Sequence, residues 1–135
     1  MAQPLASLIC DANAVLIANG NLDAIERFFS PEYVVNVTGQ RIAGGHDIVR
    51  KVLGSILKSF PDIQVEINVL LEGENRIAWL RTLKGTHQVA FKGFPGSGQE
   101  IIWCDMVTSE IQDGKIIQEW VVTDLAERLL LSRKK

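Results

Sequence analysis

The sequence predicts an α+β fold, and three observations lead to it. Apolar residues recur at helical spacing before Pro61, and apolar and polar residues alternate after it. Helices and strands segregated along a chain in this way are typical of α+β domains. The 135 residues suit a single domain over 1-135, because most domains hold about 100–150 residues. The simplest packing wraps a strongly curved sheet around the helices and leaves a gap in which a small ligand can bind.

Three helices are predicted before the period changes. Over 5–18 and over 47–59, apolar side chains at i, i+3, i+4 and i+7 form one stripe. A shorter helix over 22–29 ends at Ser30-Pro31, because proline restricts the residue before it. The helix over 47–59 ends in the same way at Phe60-Pro61. We therefore expect about three N-terminal helices, each with one face toward a core.

A β-rich segment at 33–38 and four later segments predict the strands of an antiparallel or mixed sheet. The later strands are predicted over 63–70, 77–83, 101–111 and 115–123, with turns at 72–75 and 113–114 and an irregular, glycine-rich stretch over 85–98. Residues 125–131 follow as a short C-terminal helix or a tail.

The charge balance argues against nucleic acid as a partner. The chain holds 14 basic and 16 acidic residues, which gives a net charge of −2 and no basic footprint. Arg133-Lys134-Lys135, the one basic cluster, is interpreted as a solvated tail. With 47% hydrophobic and 22% charged residues, the composition is that of a folded protein rather than a disordered one.

Targeting, membrane and cofactor motifs are absent from the sequence. The segment before Leu5 has no basic residue, and no apolar run approaches the roughly 18 residues of a membrane span. There is no phosphate-binding loop, dinucleotide fingerprint, HExxH or GxSxG. Cys10 and Cys104 are isolated and are interpreted as two reduced, buried thiols. We expect a cytoplasmic protein with no membrane partner, no metal and no cofactor.

Asp124 is a candidate for proton transfer. The period of the last strand puts Trp120, Val122 and Asp124 on one face. Burial beside a tryptophan raises the pKa of a carboxyl group, which can then serve as a general acid or base near neutral pH. Alternatively, Asp124 caps the helix that begins at Leu125, and spacing alone favours this second interpretation.

Asp105 is the second carboxylate within an apolar strand. It shares a face with Trp103 and Val107, where an unpaired charge is costly. Either Asp105 meets a cation, for which Arg81 is the natural candidate, or it lines a wet pocket. Two carboxylates on neighbouring strands could divide the duties of acid and base. His87, at a junction of strand and loop, is either a surface or hydrogen-bonded histidine or a member of the same site.

Four stretches, taken in order, resemble a known family. They are Phe60-Pro61-Asp62-Ile63, Gly85-Thr86-His87, Phe91-Lys92-Gly93-Phe94-Pro95-Gly96-Ser97-Gly98 and the run from Asp113-Gly114-Lys115 through Glu119-Trp120 to Thr123-Asp124. The sequence resembles the SnoaL-like polyketide cyclase family, within the nuclear transport factor 2-like superfamily, from about residue 22 to residue 131.

The resemblance implies a cone-shaped α+β barrel with an internal cavity and chemistry without a metal or organic cofactor. The resemblance also implies a role for Asp124. In the characterised cyclases of that family, an aspartate at its position is the general acid/base of an intramolecular aldol ring closure. The similar limonene epoxide hydrolases use an Asp-Arg-Asp arrangement, which Asp124, Arg81 and Asp105 could mimic. The chain departs from the family at Glu119, where His is common, at Asn36, where His is also common, and in the loop 95–98, where Pro-Pro-Thr-Gly is frequent.

We therefore expect a cofactor-independent enzyme that acts on an apolar, oxygenated small molecule by acid/base aldol cyclisation or isomerisation. The predicted catalytic residues are Asp124, Asp105 and His87. The predicted substrate-binding residues are Tyr33, Asn36, Trp79, Arg81, Phe91, Trp103 and Trp120. The alternatives are an epoxide or ester hydrolase of the same fold and a non-catalytic module for ligand binding or dimerisation. An inward Asp124 beside a second polar group would favour an enzyme, and an Asp124 that points to solvent beside a wholly apolar cavity would favour the module.

The chain is also expected to form a homodimer or a tetramer. If helices cover the concave side of the sheet, an apolar patch is left on the convex side, and such patches usually mark interfaces. The residues predicted for this patch are Ile102, Cys104, Met106, Val121 and Thr123.

Overall fold

Residues 4–133 are the part of the chain that the computed structural model describes. Met1–Gln3 and Lys134–Lys135 fall outside this part. The start of the N-terminal segment and most of the basic tail discussed above therefore lie outside the described residues.

The helices stand at the two ends of the chain and between the first strands. α1 spans Leu5–Asn13 and continues as a π-helical turn over Ala14–Ala18, α2 spans Ile25–Phe28 after a 3-10 turn over Leu22–Ala24, α3 spans Gly45–Ser59 and α4 spans Leu125–Ser132. The predicted first helix is thus one continuous segment whose last turn widens. In this wider turn the Asn19 N–H donates to the carbonyl of Ala14, five residues back, which is the hydrogen-bond pattern of a π-helix.

Six strands form one mixed, open sheet in the described part of the chain. They are β1 Phe29–Val37, β2 Gln40–Ala43, β3 Gln64–Glu72, β4 Arg76–Thr86, β5 Glu100–Gln112 and β6 Lys115–Thr123, in the order β2-β1-β6-β5-β4-β3. β1 and β6 run parallel, and the other neighbours are antiparallel. The sheet is curved but not closed, since β2 and β3 are free edges.

The observed strands differ from the predicted ones at Pro31 and at β2. The proline lies within β1 instead of before it, at the point where the register with β6 shifts between Phe29 and Val34. A proline is tolerated there because the ladder is already interrupted. The short edge strand β2 was not predicted, because its four residues lie between glycine turns at Gly39 and Gly44.

The helices pack on one face of the sheet, which we call the inner face. Apolar residues of α1, α3 and α4 join those of the strands in one core. The inner-face residues used below are Trp79, Arg81, Leu83, Trp103, Asp105, Val107, Ser109, Glu119, Val121 and Thr123. Trp79 and Trp103 are both fully buried, which fits the large apolar area that an indole removes from water.

The predicted convex patch is right for β5 and wrong for β6. Ile102 and Met106 are exposed on the outer face, and Cys104 is half-buried there. Cross-strand partners share a face, and the register pairs Asp105 with Thr123 and Val107 with Val121. Val121 and Thr123 therefore lie on the inner face, and their neighbours on β6 lie outside.

The two cysteines are free, as predicted, but the prediction that they are buried is wrong for both. Cys10 is exposed on the solvent side of α1, and Cys104 is half-buried. In residues 4–133, none of the helices combines the length and the apolar character needed to cross a membrane.

Candidate active site

A buried carboxylate, Glu119, is the centre of a hydrogen-bonded cluster on the inner face. The Tyr33 hydroxyl donates to Glu119 Oε1 at 2.6 Å, and the Ser109 hydroxyl donates to Oε2. The Trp79 indole N–H in turn donates to Ser109 Oγ at 3.0 Å. β1, β6, β5 and β4 are successive neighbours in the sheet, so their alternating residues bring these four side chains together.

Burial governs the protonation of this cluster. Loss of solvation raises the pKa of Glu119 from its ordinary value of 4.5, and the hydrogen bonds from Ser109 and Tyr33 oppose that change only in part. The pKa of Tyr33 lies well above its ordinary value, first because the ring is buried and then because Glu119 is negatively charged. The pair therefore holds its protons more firmly than the same groups in water.

A second cluster joins Arg81, Asp105 and Asn13. Arg81 and Asp105 are register partners on β4 and β5, and the guanidinium reaches Asp105 Oδ2 through Nε at 3.0 Å and Nη2 at 2.9 Å. Arg81 Nη1 donates to Asn13 Oδ1 at 3.1 Å, and the Asn13 amide donates to the Ile9 carbonyl. The predicted pairing of Asp105 with Arg81 is confirmed. Both charges also act on Glu119, since Arg81 favours its ionised form and Asp105 opposes it.

One oxygen of the second cluster is left without a partner. Asp105 Oδ1 is buried, and no donor among residues 4–133 reaches it. A buried acceptor without a hydrogen bond is rare in folded proteins and costs stability. Asp105 is therefore the inner-face carboxylate with spare hydrogen-bonding capacity.

His87 is buried in an aromatic environment, not placed on the surface. Its ring stacks on Phe60 with centroids 5.2 Å apart, and Phe60 contacts Trp103 at 4.6 Å. His87 Nε2 has no hydrogen-bond partner in the described part of the chain. Phe91 follows in the loop after β4, where it bonds to the backbone of Phe94 and packs against the core.

Asp124 lies at the end of β6, immediately before α4. Its Oδ1 accepts from the Cys104 N–H at 2.8 Å, and its Oδ2 accepts from Arg128 Nε at 3.1 Å. Asp124 occupies the N-cap position of α4, but its side chain bonds none of the first N–H groups of that helix. The carboxylate is 30% exposed and is anchored to the residue before Asp105.

The arrangement Asp124, Arg81 and Asp105 does not form as one network. Arg81 pairs with Asp105, whereas Asp124 pairs with Arg128. Instead of the predicted Asp-Arg-Asp set, the structure shows two separate ion pairs, one between β4 and β5 and the other at the start of α4.

Two predicted ligand-binding residues, Asn36 and Trp120, lie on the outer face. Asn36 donates to the Glu119 backbone carbonyl at 3.1 Å, and Trp120 is stacked under Arg76 at 5.3 Å. Both line an outer groove of about 530 Å³, together with Leu70, Met106 and Val122. A second pocket of about 370 Å³ lies beside Val34 and Ile117 on β1 and β6. The internal cavity stays a prediction.

The structure thus separates the predicted site residues into three places. Tyr33, Trp79, Arg81, Trp103, Asp105 and His87 face the interior, Asp124 lies at a strand end, and Asn36 and Trp120 face outward. Residues 4–133 contain no group of three or more His, Cys, Asp and Glu side chains that could hold a metal ion.

Three buried polar residues of these clusters were not among the predicted site residues. Ser109 continues the alternation of Trp103, Asp105 and Val107, so period 2 could have found it. Asn13 lies one turn after Ile9, beside the apolar stripe of α1. Glu119 gave no clear signal, because both faces of β6 carry apolar residues.

Comparisons with known proteins agree on one family. The sequence model of the SnoaL-like polyketide cyclase family matches residues 8–130. No curated protein matches the chain. Among solved structures, AclR, a proposed hydroxylase from Streptomyces galilaeus, is 29% identical, with 95% of this chain and 92% of that chain covered and a TM-score of 0.78.

Two further solved structures show the same fold. A SnoaL-like polyketide cyclase from Agrobacterium tumefaciens is 23% identical, with 95% of this chain and 98% of that chain covered and a TM-score of 0.78. IdmH, a proposed polyketide cyclase from Streptomyces antibioticus, is 19% identical, with coverage of 95% and 97% and a TM-score of 0.79.

Proposed function

Because the chain belongs to the SnoaL-like polyketide cyclase family, we propose that it is an acid–base enzyme that cyclises or isomerises an apolar, oxygenated small molecule. The reaction needs no metal and no organic cofactor, since proton transfer and carbonyl polarisation require only side chains.

The observation that carries this proposal is the polar content of the inner face. Glu119, Asp105 and Arg81 are charged groups in an otherwise apolar interior, and burying such groups is expensive. Apolar residues of similar volume would serve stability equally well or better. Carboxylates with altered protonation in a buried setting are typical of acid–base sites. A non-catalytic binding module has no need of them.

In this proposal Asp124 removes the proton from the substrate carbon. Its carboxylate is fixed by the Cys104 N–H and by Arg128, is 30% exposed, and lies beside the strand that carries Asp105. The carbanion formed is an enolate, whose carbon attacks a second carbonyl of the same molecule. The new alkoxide then takes up a proton, so that a C–C bond forms and the proton count is unchanged. His87, whose Nε2 has no hydrogen-bond partner among residues 4–133, is the group that polarises the reacting carbonyl.

The first step can be tested without knowing the natural substrate. The protein is incubated with 2-tetralone in D₂O, and NMR follows exchange of the α-protons. We expect the parent to accelerate exchange and Asp124→Asn to lose at least about 100-fold of that acceleration, the usual contribution of a positioned base. Asp113→Asn is the matched control, because Asp113 lies in the exposed β5–β6 turn and the same chemical change there leaves the rate unaltered.

Exchange should also survive exhaustive dialysis against EDTA. Exchange at the buffer rate, equal rates for Asp124→Asn and the parent, or activity restored by one divalent ion after EDTA would each contradict the proposal. Binding of 2-tetralone without exchange would instead support the ligand-binding module.

A further inference from the structure

We propose that Asp105 Oδ1 is the docking point for a hydroxyl or enol group of a neutral ligand, and that the inner-face site rejects carboxylates. The inference rests on the proposed function only in assuming that a small molecule enters between the helices and the sheet.

The first step of the argument is the unequal use of the two Asp105 oxygens. Oδ2 receives two donors from Arg81, and Oδ1 receives none from residues 4–133. The side chain is only 7% exposed, so water supplies little compensation from the surface. A ligand O–H that donates to Oδ1 removes the cost of an unsatisfied buried acceptor. Because this acceptor belongs to a carboxylate that is paired with a guanidinium, the bond is charge-assisted.

The second step is that most of the Arg81 donors, including the edge formed by Nε and Nη2, are already committed to the protein. Nε and Nη2 are directed to Asp105, and Nη1 is directed to Asn13. Asn13 is itself fixed through its amide bond to the Ile9 carbonyl. Bidentate recognition of a carboxylate or phosphate needs two parallel N–H groups on one edge of the guanidinium. Here Asp105 takes the edge formed by Nε and Nη2, and Asn13 takes one N–H of Nη1, so three of the five N–H groups are already used.

The third step is the charge of the surroundings. One guanidinium, that of Arg81, faces two carboxyl groups, Asp105 directly and Glu119 at longer range. Both Glu119 oxygens already accept from Tyr33 and Ser109. An anionic ligand would add negative charge without a partner, which is costly in a buried setting. A neutral hydroxyl adds a donor where a donor is missing.

The surroundings of the Arg81–Asp105 pair also indicate the shape and polarity of the rest of the ligand. The Arg81 side chain is 17% exposed, so the Arg81–Asp105 pair is partly accessible from the Arg81 side. The Trp79 ring lies 5.2 Å from the guanidinium and provides a flat apolar wall. The ligand class is therefore a neutral, flat, largely apolar molecule with a phenol or enol group near one end.

Three probes of equal size test this assignment on the full chain. They are 2-naphthol, 2-naphthoate and naphthalene, titrated at pH 7. The readout is the ¹⁵N-labelled indole signal of each tryptophan, assigned with single Trp→Phe variants. The Trp79 indole N–H, which donates to the buried Ser109 hydroxyl, reports on the inner face, and Trp120 reports on the outer groove, which Trp79 also borders. A shift of the Trp79 signal without a shift of the Trp120 signal therefore marks binding at the inner face. We expect 2-naphthol to shift the Trp79 signal and to bind about tenfold more tightly than either other probe, the value of one charge-assisted hydrogen bond.

Asp105→Asn then tests the docking atom. Arg81 will hold the amide oxygen of the new side chain, which turns its NH₂ group to the former Oδ1 position and replaces an acceptor by a donor. The preference for 2-naphthol over 2-naphthoate should therefore disappear or reverse. Glu110→Gln is the matched control, because Glu110 lies on β5 with its carboxylate paired to Arg76, away from the Asp105 cluster. It should keep the parent's preference.

Several results would overturn the inference: equal affinity of the parent for 2-naphthol and 2-naphthoate, a response of Trp120 alone, no binding of any probe, or an unchanged preference in a folded Asp105→Asn. If that variant does not fold, the three-probe series on the parent decides. Loss of deuterium exchange with the naphthol preference intact would contradict the proposed function and leave this inference standing.

Discussion

At the scale of single residues, Glu119 is the buried group with the clearest physical consequence. An ionised carboxylate accepts hydrogen bonds and donates none, so burial requires donors on both oxygens. Tyr33 and Ser109 are those donors, and both lie on strands that neighbour β6. The burial of Glu119 therefore depends on Tyr33 and Ser109 together.

The raised pKa of Glu119 predicts a stability that falls as pH rises. Below about 4.5 both the folded and the unfolded chain hold this proton. Above that value the unfolded chain releases the proton first. Ionisation then stabilises the unfolded state, so the free energy of unfolding decreases until the folded-state pKa is passed. Glu119→Gln lacks this decline. In urea unfolding from pH 4.5 to pH 8, the free energy of unfolding of the variant should increase relative to that of the parent as pH rises.

The matched control for this pH series is Glu66→Gln, an exposed carboxylate on β3. Its difference from the parent should stay constant over the same range. Parallel pH curves for Glu119→Gln and the parent would mean that Glu119 titrates alike in the folded and unfolded chains, contrary to the effect of its burial.

Asp124 allows stability and catalysis to be separated. Asn retains an oxygen for the Cys104 N–H and loses only the charge on Arg128, and such an i,i+4 pair contributes about 0.3–0.5 kcal/mol. Ala also loses the bond to the strand, which adds about 0.5–1.5 kcal/mol. Both variants should lose tetralone exchange equally. Urea unfolding and exchange, measured side by side, check this, and a destabilised Ala variant beside a fully active Asn variant would make Asp124 structural.

At the scale of elements, local patterns predicted most of the sheet. β6 was predicted with its observed bounds, because the Asp113-Gly114 turn marks its start and Asp124 follows its last residue. Helix α3 and strands β3 to β5 were predicted within a few residues. The π-helical end of α1 and the edge strand β2 depend on tertiary contacts that periodicity does not report.

Strand register is the property that the sequence did not reveal, and the site depends on it. Both faces of β6 carry apolar residues, and the ladder to β5 shifts between Glu110 and Ile111. A shift of one residue exchanges the two faces of a strand. For this reason Trp120 was expected inside and was found outside, whereas Glu119 was not expected at the site. Asp105 and Arg81 were predicted together correctly, since an isolated buried charge demands a partner.

The contact between α3 and β1 makes Gly45 irreplaceable. Gly45 has φ +58°, and a Cβ at this position would overlap the Pro31 carbonyl oxygen. Gly114 is a control with φ +75° and open space around it. Gly114→Ala should lose about 1–2 kcal/mol for the left-handed backbone alone. Gly45→Ala should lose about 3 kcal/mol or more, because overlap with the backbone adds to that strain. Equal losses in urea unfolding would show that the contact imposes no constraint.

At the scale of the whole molecule, the sheet separates two kinds of surface. The inner face combines the apolar core with the two polar clusters. The outer face is the reverse of the same strands and carries large apolar side chains in the open. Leu70, Ile102, Met106 and Val122 are 51% to 57% exposed there. Patches of this kind are uncommon on monomers and usually mark interfaces.

We therefore expect a symmetric dimer, formed through the outer face of β3 to β6. In a two-fold dimer the same patch packs on its copy, so a charge placed at its centre meets a like charge across the interface. Met106 lies in the outer groove between Leu70 and Val122. Sedimentation equilibrium at micromolar concentration should give a dimer for the parent and 15.0 kDa for Met106→Glu. The control is Lys51→Glu, which introduces the same side chain on the exposed side of α3 and should stay dimeric. Because Met106 points away from the inner clusters, Met106→Glu should keep the Trp79 response to 2-naphthol. A monomeric parent, or a Met106→Glu variant that remains dimeric, would assign the outer groove to another role.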